Sequence, residues 1–172
     1  MRLGWHRGAA DKRYSLDVMT NLLTALQRLE AIGFRRCGFW EPVESGGIKI
    51  TLTESAQSTN ALYAFVSHGE VLYVGKTTQQ LRKRLYGYQN PRSTQTTNVR
   101  GNKAISAALA AKKQIEVFVL PDNGLLRFGG FHLNLAAALE DSLINDLRPQ
   151  WNKRFGREDA KAKAKAAATD DA

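Results

Sequence analysis

An intramolecular disulfide is closed to this chain, because Cys37 is its only cysteine. The same count excludes a thiolate cage and agrees with a reducing compartment. Three histidines, His6, His68 and His132, are too scattered for a zinc cluster, and His68 reads as a surface residue in a hairpin turn. No apolar run approaches the ~18 residues of a membrane span, so no membrane is expected as a partner. Met1 to Tyr14 is too polar and too broken by glycine for a secretory signal, which makes the cytoplasm the expected location. There is no internal repeat. The last absence is of acid: no Asp or Glu lies between Glu70 and Glu116.

That acid-free stretch carries Lys76, Arg82, Lys83, Arg84, Arg92, Arg100, Lys103, Lys112 and Lys113, nine cations that equal the net charge of +9 of the whole chain. Blocks of one sign are usually disordered tails. Here the cations alternate with Leu81, Leu85, Ile105, Leu109 and several tyrosines, so the stretch is expected to fold. A folded surface of that charge attracts a polyanion; the alternative is a solvated basic face. The length of 172 residues suits one domain, alone or with a small appendage, and is ample for a core.

Taken in order, residues 1–14 lack periodicity and read as a flexible basic arm. Leu16, Met19, Leu22, Leu23, Leu26, Leu29 and Ile32 recur every three or four positions, predicting an amphipathic helix from an N-cap at Ser15 to a stop at Gly33. Phe34 to Trp40 and Ile48 to Leu52 read as strands joined by a turn at Pro42 to Gly47, and Glu54 to Asn60 as a linker. Residues 15–60 thus form a small helix-plus-hairpin module. A main domain follows over 61–155. Ala61 to Val66 and Val71 to Gly75 flank a hairpin turn with Gly69. Next come a helix at Gln80 to Tyr88, a polar loop at Gln89 to Gly101, a helix at Asn102 to Lys113, a strand at Ile115 to Leu120, a Gly-rich loop at Pro121 to Phe131 and a helix from His132 to Leu147 stopped by Pro149. Residues 156–172 are a low-complexity Lys/Ala tail.

One residue breaks the pattern. Ala136, Leu143, Ile144 and Leu147 share a helix face with Glu140, whereas Asp141, Asn145 and Asp146 fall on other sides. A carboxylate on an apolar stripe costs several kcal/mol unless a cation or hydrogen-bond donors meet it. Either Glu140 pairs with a buried arginine or it binds a metal. With no second acid placed beside it, a two-metal clamp lacks ligands, whereas one hard cation completed by water and phosphate needs nothing more.

Ala61-Leu62-Tyr63, then nine residues to Tyr73-Val74-Gly75, then Lys76, Arg84 eight further on, and Glu140 and Asn152 twelve apart, resemble the GIY-YIG nuclease superfamily. Val71 to Lys76 with Leu81 to Leu85 looks especially like the N-terminal nuclease domain of the bacterial excision-repair incision protein. The resemblance covers Ala61 to about Arg154. The first signature departs from the pattern, Ala-Leu-Tyr in place of Gly-Ile-Tyr, with its tyrosine kept. Where many members carry a histidine four residues after the arginine, this chain has Tyr88, which removes a histidine base.

The resemblance implies an α+β fold, a three-stranded antiparallel sheet flanked by helices, with the N-terminal module added. It implies hydrolysis of DNA phosphodiesters with one divalent metal, Mg2+ or Mn2+, held by Glu140. Tyr73 or Tyr63 would be the general base, its pKa lowered from a phenol's usual ~10 by Lys76 and Arg84. Arg84 would brace the scissile phosphate and Asn152 would orient it or the metal-bound water. Arg82, Lys83, Arg92, Gln95, Asn98, Arg100 and Lys103 are expected to contact DNA, with Arg, Gln and Asn suited to bidentate contacts. A short chain with this added module suggests a restriction-type or mobile-element endonuclease. The alternatives are a structure-specific nuclease of repair or recombination and a non-catalytic nucleic-acid-binding protein. A double-strand cut by one small site needs two protomers or two visits, so a homodimer is one expectation. Other nuclease classes fit less well: Pro121-Asp122 has no following Glu-x-Lys, and no His-Asn-His grouping exists.

Overall fold

The computed structural model of the protein describes residues 23–152. The basic arm, the cap at Ser15 and the Lys/Ala tail lie outside these residues. Helix α1 (Ala25–Ala31) starts at Thr24, whose hydroxyl accepts from the Gln27 N–H while the Gln27 side chain accepts from the Thr24 N–H. The helix expected to run unbroken from Ser15 to Gly33 does not include Thr24, whose backbone is extended. A hydroxyl that competes for backbone N–H groups favours a cap over a helix interior. Gly33 ends the helix as expected, with φ +108°.

Strands β1 (Arg35–Pro42) and β2 (Ile48–Leu52) form one hairpin, and β3 (Ala61–Ser67) and β4 (Glu70–Thr77) form another. In the second, His68 and Gly69 both take positive φ, matching the right-handed twist of the strands they join. Helices α2 (Leu81–Gln89) and α3 (Thr96–Ala110) follow, then β5 (Ile115–Pro121), a short hairpin β6 (Arg127–Phe128) and β7 (Phe131–His132), and α4 (Leu135–Leu147). Two boundaries differ from expectation. Helix α3 begins six residues early because tertiary bonds hold its polar first turns: Asn102 donates to the Tyr88 carbonyl at 2.8 Å. Helix α4 begins at Leu135, capped by Asn134, and the preceding Gly-rich loop holds β6 and β7.

The sheet has five antiparallel strands in the order β2-β1-β5-β3-β4, where three were expected. Strand β1 pairs with β5, bringing Trp40 opposite Ile115 and covering what would otherwise be an open edge on β5. The stretch 54–60 is held in place. Carbonyls of Ser58 and Ala56 accept from the N–H groups of Leu81 and Arg82, the first turn of α2, whose Gln80 offers no side-chain cap.

Two cores lie on the two faces of the sheet. Tyr63, Phe65, Tyr73 and Val117 pack with Leu81, Leu85 and Tyr88 of α2, Ile105 of α3 and Trp151. On the other face Leu62, Ala64, Val74 and Phe118 meet Leu29 of α1 and Ala136 of α4. Cys37 is buried, and burial followed by the nearby Glu54 charge pushes its thiol up to about 12, which leaves it unreactive at neutral pH.

After α4 the chain turns at Arg148, in the left-handed region, and crosses the outer edge of β4. There Asn152 Oδ1 accepts from the Val74 N–H and Asn152 Nδ2 donates to the Val74 carbonyl, both at 2.8 Å. The polar groups of Val74 on this edge strand are thereby paired without a sixth strand. Asn152→Ala leaves both unsatisfied in a partly buried place, and the expected result is a loss of about 1–2 kcal/mol in a urea unfolding experiment.

Candidate active site

The register of the β3–β4 hairpin sets the site. Tyr63 stands opposite Gly75 and Phe65 opposite Tyr73, all directed to the face covered by α2 and α3, while Leu62 and Lys76 are paired on the reverse face. Helix α2 places Arg84 and Tyr88 one turn apart on the side that meets those tyrosines.

Four side chains converge there. Arg84 Nε donates to Tyr63 Oη at 3.0 Å, and two further guanidinium N–H groups donate to Tyr88 Oη and Asn98 Oδ1, each at 2.6 Å. The Tyr63 and Tyr88 hydroxyls are 2.9 Å apart, and Tyr88 Oη donates to Tyr73 Oη at 3.2 Å. The guanidinium also lies over the Tyr88 ring, 4.3 Å from its centroid. Among the described residues no carboxylate pairs with Arg84. Burial works against its cation, yet the hydroxyls of Tyr63, Tyr88 and Tyr73 outweigh that and its pKa is raised.

Two glycines make room for this cluster. A Cβ on Gly75 would lie 2.8 Å from Tyr63 Oη and from the Tyr73 ring, and one on Gly101 would lie 2.5 Å from the Tyr88 ring. Tyr88 cannot retreat, being buried and hydrogen-bonded on both sides of its hydroxyl. Gly101→Ala gains helix propensity worth up to ~1 kcal/mol, but overpacking costs typically about 1–3 kcal/mol. A lowered melting temperature is the expected outcome.

Tyr63 does not behave as the sequence suggested. Burial, reinforced by the neighbouring Tyr73, pushes Tyr63 well above a phenol's ordinary pKa in spite of Arg84. Burial, then Tyr63, does the same to Tyr88. The expected lowering by Arg84 and Lys76 is thus reversed at Tyr63, because desolvation of a fully enclosed phenolate exceeds what one guanidinium returns. Tyr73, 8% exposed, is the only one of the three that reaches solvent.

Lys76 does not join the phenols. On the reverse face its Nζ lies 2.8 Å from Glu140 Oε2, and this partner raises the lysine's pKa. Glu140 does sit in the apolar stripe of α4, its side chain 17% exposed, and its cation is this lysine rather than a buried arginine. Tyr73 and Lys76 are three residues apart on β4, about 10 Å along the strand, with their side chains on opposite faces of the sheet. Asn152, expected to orient a phosphate, is instead committed to the Val74 backbone.

Of the residues expected at DNA, Arg82 and Lys83 on α2, Arg92 in the loop and Lys103 on α3 are exposed. Gln95 accepts from the Arg92 N–H and from Asn98 Nδ2, so it braces the loop. Asn98 is buried and bonded to Arg84, which corrects its placement in an open contact loop: it lies on α3, where its carboxamide fixes the guanidinium. Arg100 is half-buried on the same helix. Tyr88 joins the site beyond the expected residues, and its signal in the sequence is the i, i+4 spacing from Arg84.

The donor set admits one kind of metal. Among the described residues no group of three His, Cys, Asp or Glu could hold an ion, so a site closed by protein ligands alone is absent there. Glu140 is a single hard oxygen donor, which fits a small hard cation that keeps its waters and takes further oxygens from a phosphate.

No protein-family model and no curated protein sequence matches this chain. Among solved structures, a restriction endonuclease, HPY188I, in complex with product DNA aligns with TM-score 0.46 and 16% identity over 76% of this chain and 86% of its own. A mutant of bacteriophage T4 EndoII aligns with TM-score 0.59 and 21% identity, covering 76% of this chain and 98% of that one, and the two proteins share a fold.

Proposed function

We propose that this protein is a GIY-YIG-type, metal-dependent DNA endonuclease that hydrolyses phosphodiester bonds, of the restriction or mobile-element kind. The observation that carries the reading is Arg84: a largely enclosed guanidinium held by two phenols and an amide, with no carboxylate to neutralise it among the described residues. A cation left in that state favours an anion beside it, and the surrounding surface of Arg82, Lys83, Arg92 and Lys103 favours a polyanion.

Three of the five guanidinium N–H groups are spent inside the protein, leaving two for a phosphate oxygen. Fixed in advance, they meet charge developing on the phosphate without reorganising. Tyr73, the one phenol of the three with exposed surface, takes the proton from the attacking oxygen on its Oη. Tyr63 and Tyr88, kept neutral by burial, orient Arg84. Lys76 neutralises Glu140 in the protein alone, and an arriving phosphate gives the ammonium a second anion to turn to. Glu140 would hold magnesium or manganese, which when bound supplies positive charge to the phosphate oxygens and lowers the pKa of bound water.

A second reading, a non-catalytic DNA-binding protein, draws on the Lys76–Glu140 pair, which occupies the one carboxylate a metal would use. Linear duplex, branched junctions and single strands, each incubated with the protein and Mg2+, separate the possibilities. Discrete fragments from linear duplex are the expected result. Cleavage confined to junctions would make the enzyme structure-specific, and a mobility shift without cleavage would establish the binding protein.

A further inference from the structure

Between β5 and α4 the chain projects the β6–β7 hairpin, and its tip is apolar. Phe128, Phe131 and Leu125 are 83%, 82% and 76% exposed, with Leu126 and Leu133 also open to water. Contiguous apolar surface of this kind marks an interaction site in a soluble protein. The hairpin is also built to keep its shape. Phe128 stands opposite Phe131 across a Gly129-Gly130 turn, Arg127 donates to the Gly130 carbonyl at 3.3 Å, and the Leu133 N–H donates to the Leu126 carbonyl at 2.9 Å. At its base Asn134 bonds Asn60, and His132 Nε2 lies 3.0 Å from the enclosed Asp122 carboxylate.

Charge and position indicate the occupant. No acidic residue lies between Asp122 and Glu140, and Arg127 is the charge beside the two phenylalanines. Two copies meeting here would bring like charges together on chains that each carry +9. The two phenylalanines offer roughly 150–250 Å² each, between them less than the ~800 Å² per partner of a stable interface. A duplex suits the same features: Arg127 meets phosphate, and flat apolar rings fit between or against bases. Asn134, which ends the hairpin and caps α4, lies six residues before Glu140, about 9 Å of helix rise.

We infer that the β6–β7 hairpin is a wedge that inserts Phe128 and Phe131 at a base step of bound DNA beside the cleavage site, partly unstacking it, with Arg127 on the adjacent backbone. This inference rests on the reading of the protein as a DNA enzyme.

The test uses short duplexes carrying 2-aminopurine at successive positions, titrated with the full chain in EDTA, with anisotropy of an end label reporting binding. Wild type is expected to raise the fluorescence several-fold at one or two positions. The double variant Phe128→Ser/Phe131→Ser, altered only at exposed sites, is expected to lose that rise and bind about 5- to 100-fold more weakly, with an unchanged dependence of log K on log salt. Arg127→Ala is expected to reduce the salt slope by roughly 0.9. Binding and cleavage by wild type with no fluorescence rise at any position would overturn the wedge and leave the nuclease reading standing. A double variant that binds like wild type, or that converts an oligomer to a monomer in sedimentation, would also overturn it. Absence of any duplex binding would remove both readings together.

Discussion

Glu140→Ala is expected to reduce DNA cleavage by about 10³-fold or more while leaving the affinity for DNA equal to wild type or slightly tighter. The size follows from losing the one hard oxygen donor for a metal, whose charge on the phosphate oxygens is worth several kcal/mol at about 1.4 kcal/mol per tenfold in rate. Binding survives because no cation is removed and one negative charge is. Folding is expected to survive as well. The partner lysine is exposed, and such an ion pair contributes about 0–1 kcal/mol. Glu140→Gln, which keeps the shape and an acceptor for Lys76 but no charge, is expected to be equally inactive. A thermal melt like that of wild type beside a dead enzyme would locate the loss in chemistry; retained cleavage in either variant would remove Glu140 from the mechanism.

Arg84→Lys is the second large effect: turnover is expected to fall by about 10²- to 10⁴-fold, the range for losing a well-placed charge-stabilising or acid-base group. A lysine keeps the charge but cannot bond Tyr63, Tyr88 and Asn98 together, because those bonds use the fixed fork of a guanidinium. Stability is expected to drop as well, by about 2–4 kcal/mol, since buried hydroxyls and an amide lose their donor. Rates must therefore be compared well below the variant's melting temperature. Unchanged turnover in a folded variant would reduce Arg84 to a structural clasp.

The places where sequence and structure part company have physical reasons. Strands β3, β4 and β5 were legible as short runs rich in β-branched and aromatic residues, which suit strands buried on both faces, and the helix around Arg84 from the spacing of Leu81, Leu85 and Tyr88. The joining of β1 to β5 was not: it pairs Gly38 with Val117, and nothing local in either strand specifies the partner. The early start of α3 was hidden for a similar reason. Thr96 to Gly101 has the composition of a loop, and tertiary bonds support it as helix: Asn98 accepts from Arg84 and Asn102 donates to the Tyr88 carbonyl on α2. The place of Glu140 on the apolar face of α4 could be read because a carboxylate on such a stripe is anomalous in any fold. The reversal at Tyr63 could not, since its pKa depends on how completely the phenol is enclosed. Asn152 shows the limit of spacing as a guide: the right residue at the right distance spends its carboxamide on the Val74 backbone.

The most direct test of phosphodiester hydrolysis at this site is a gel of supercoiled plasmid incubated with the purified protein, with Glu140→Ala alongside, in Mg2+, in Mn2+ and in EDTA. Metal-dependent conversion of the plasmid to nicked, linear or discretely fragmented DNA by wild type alone is the result expected here. An intact plasmid in all three conditions, with DNA binding evident by mobility shift, would contradict it and leave a DNA-binding protein built on this fold.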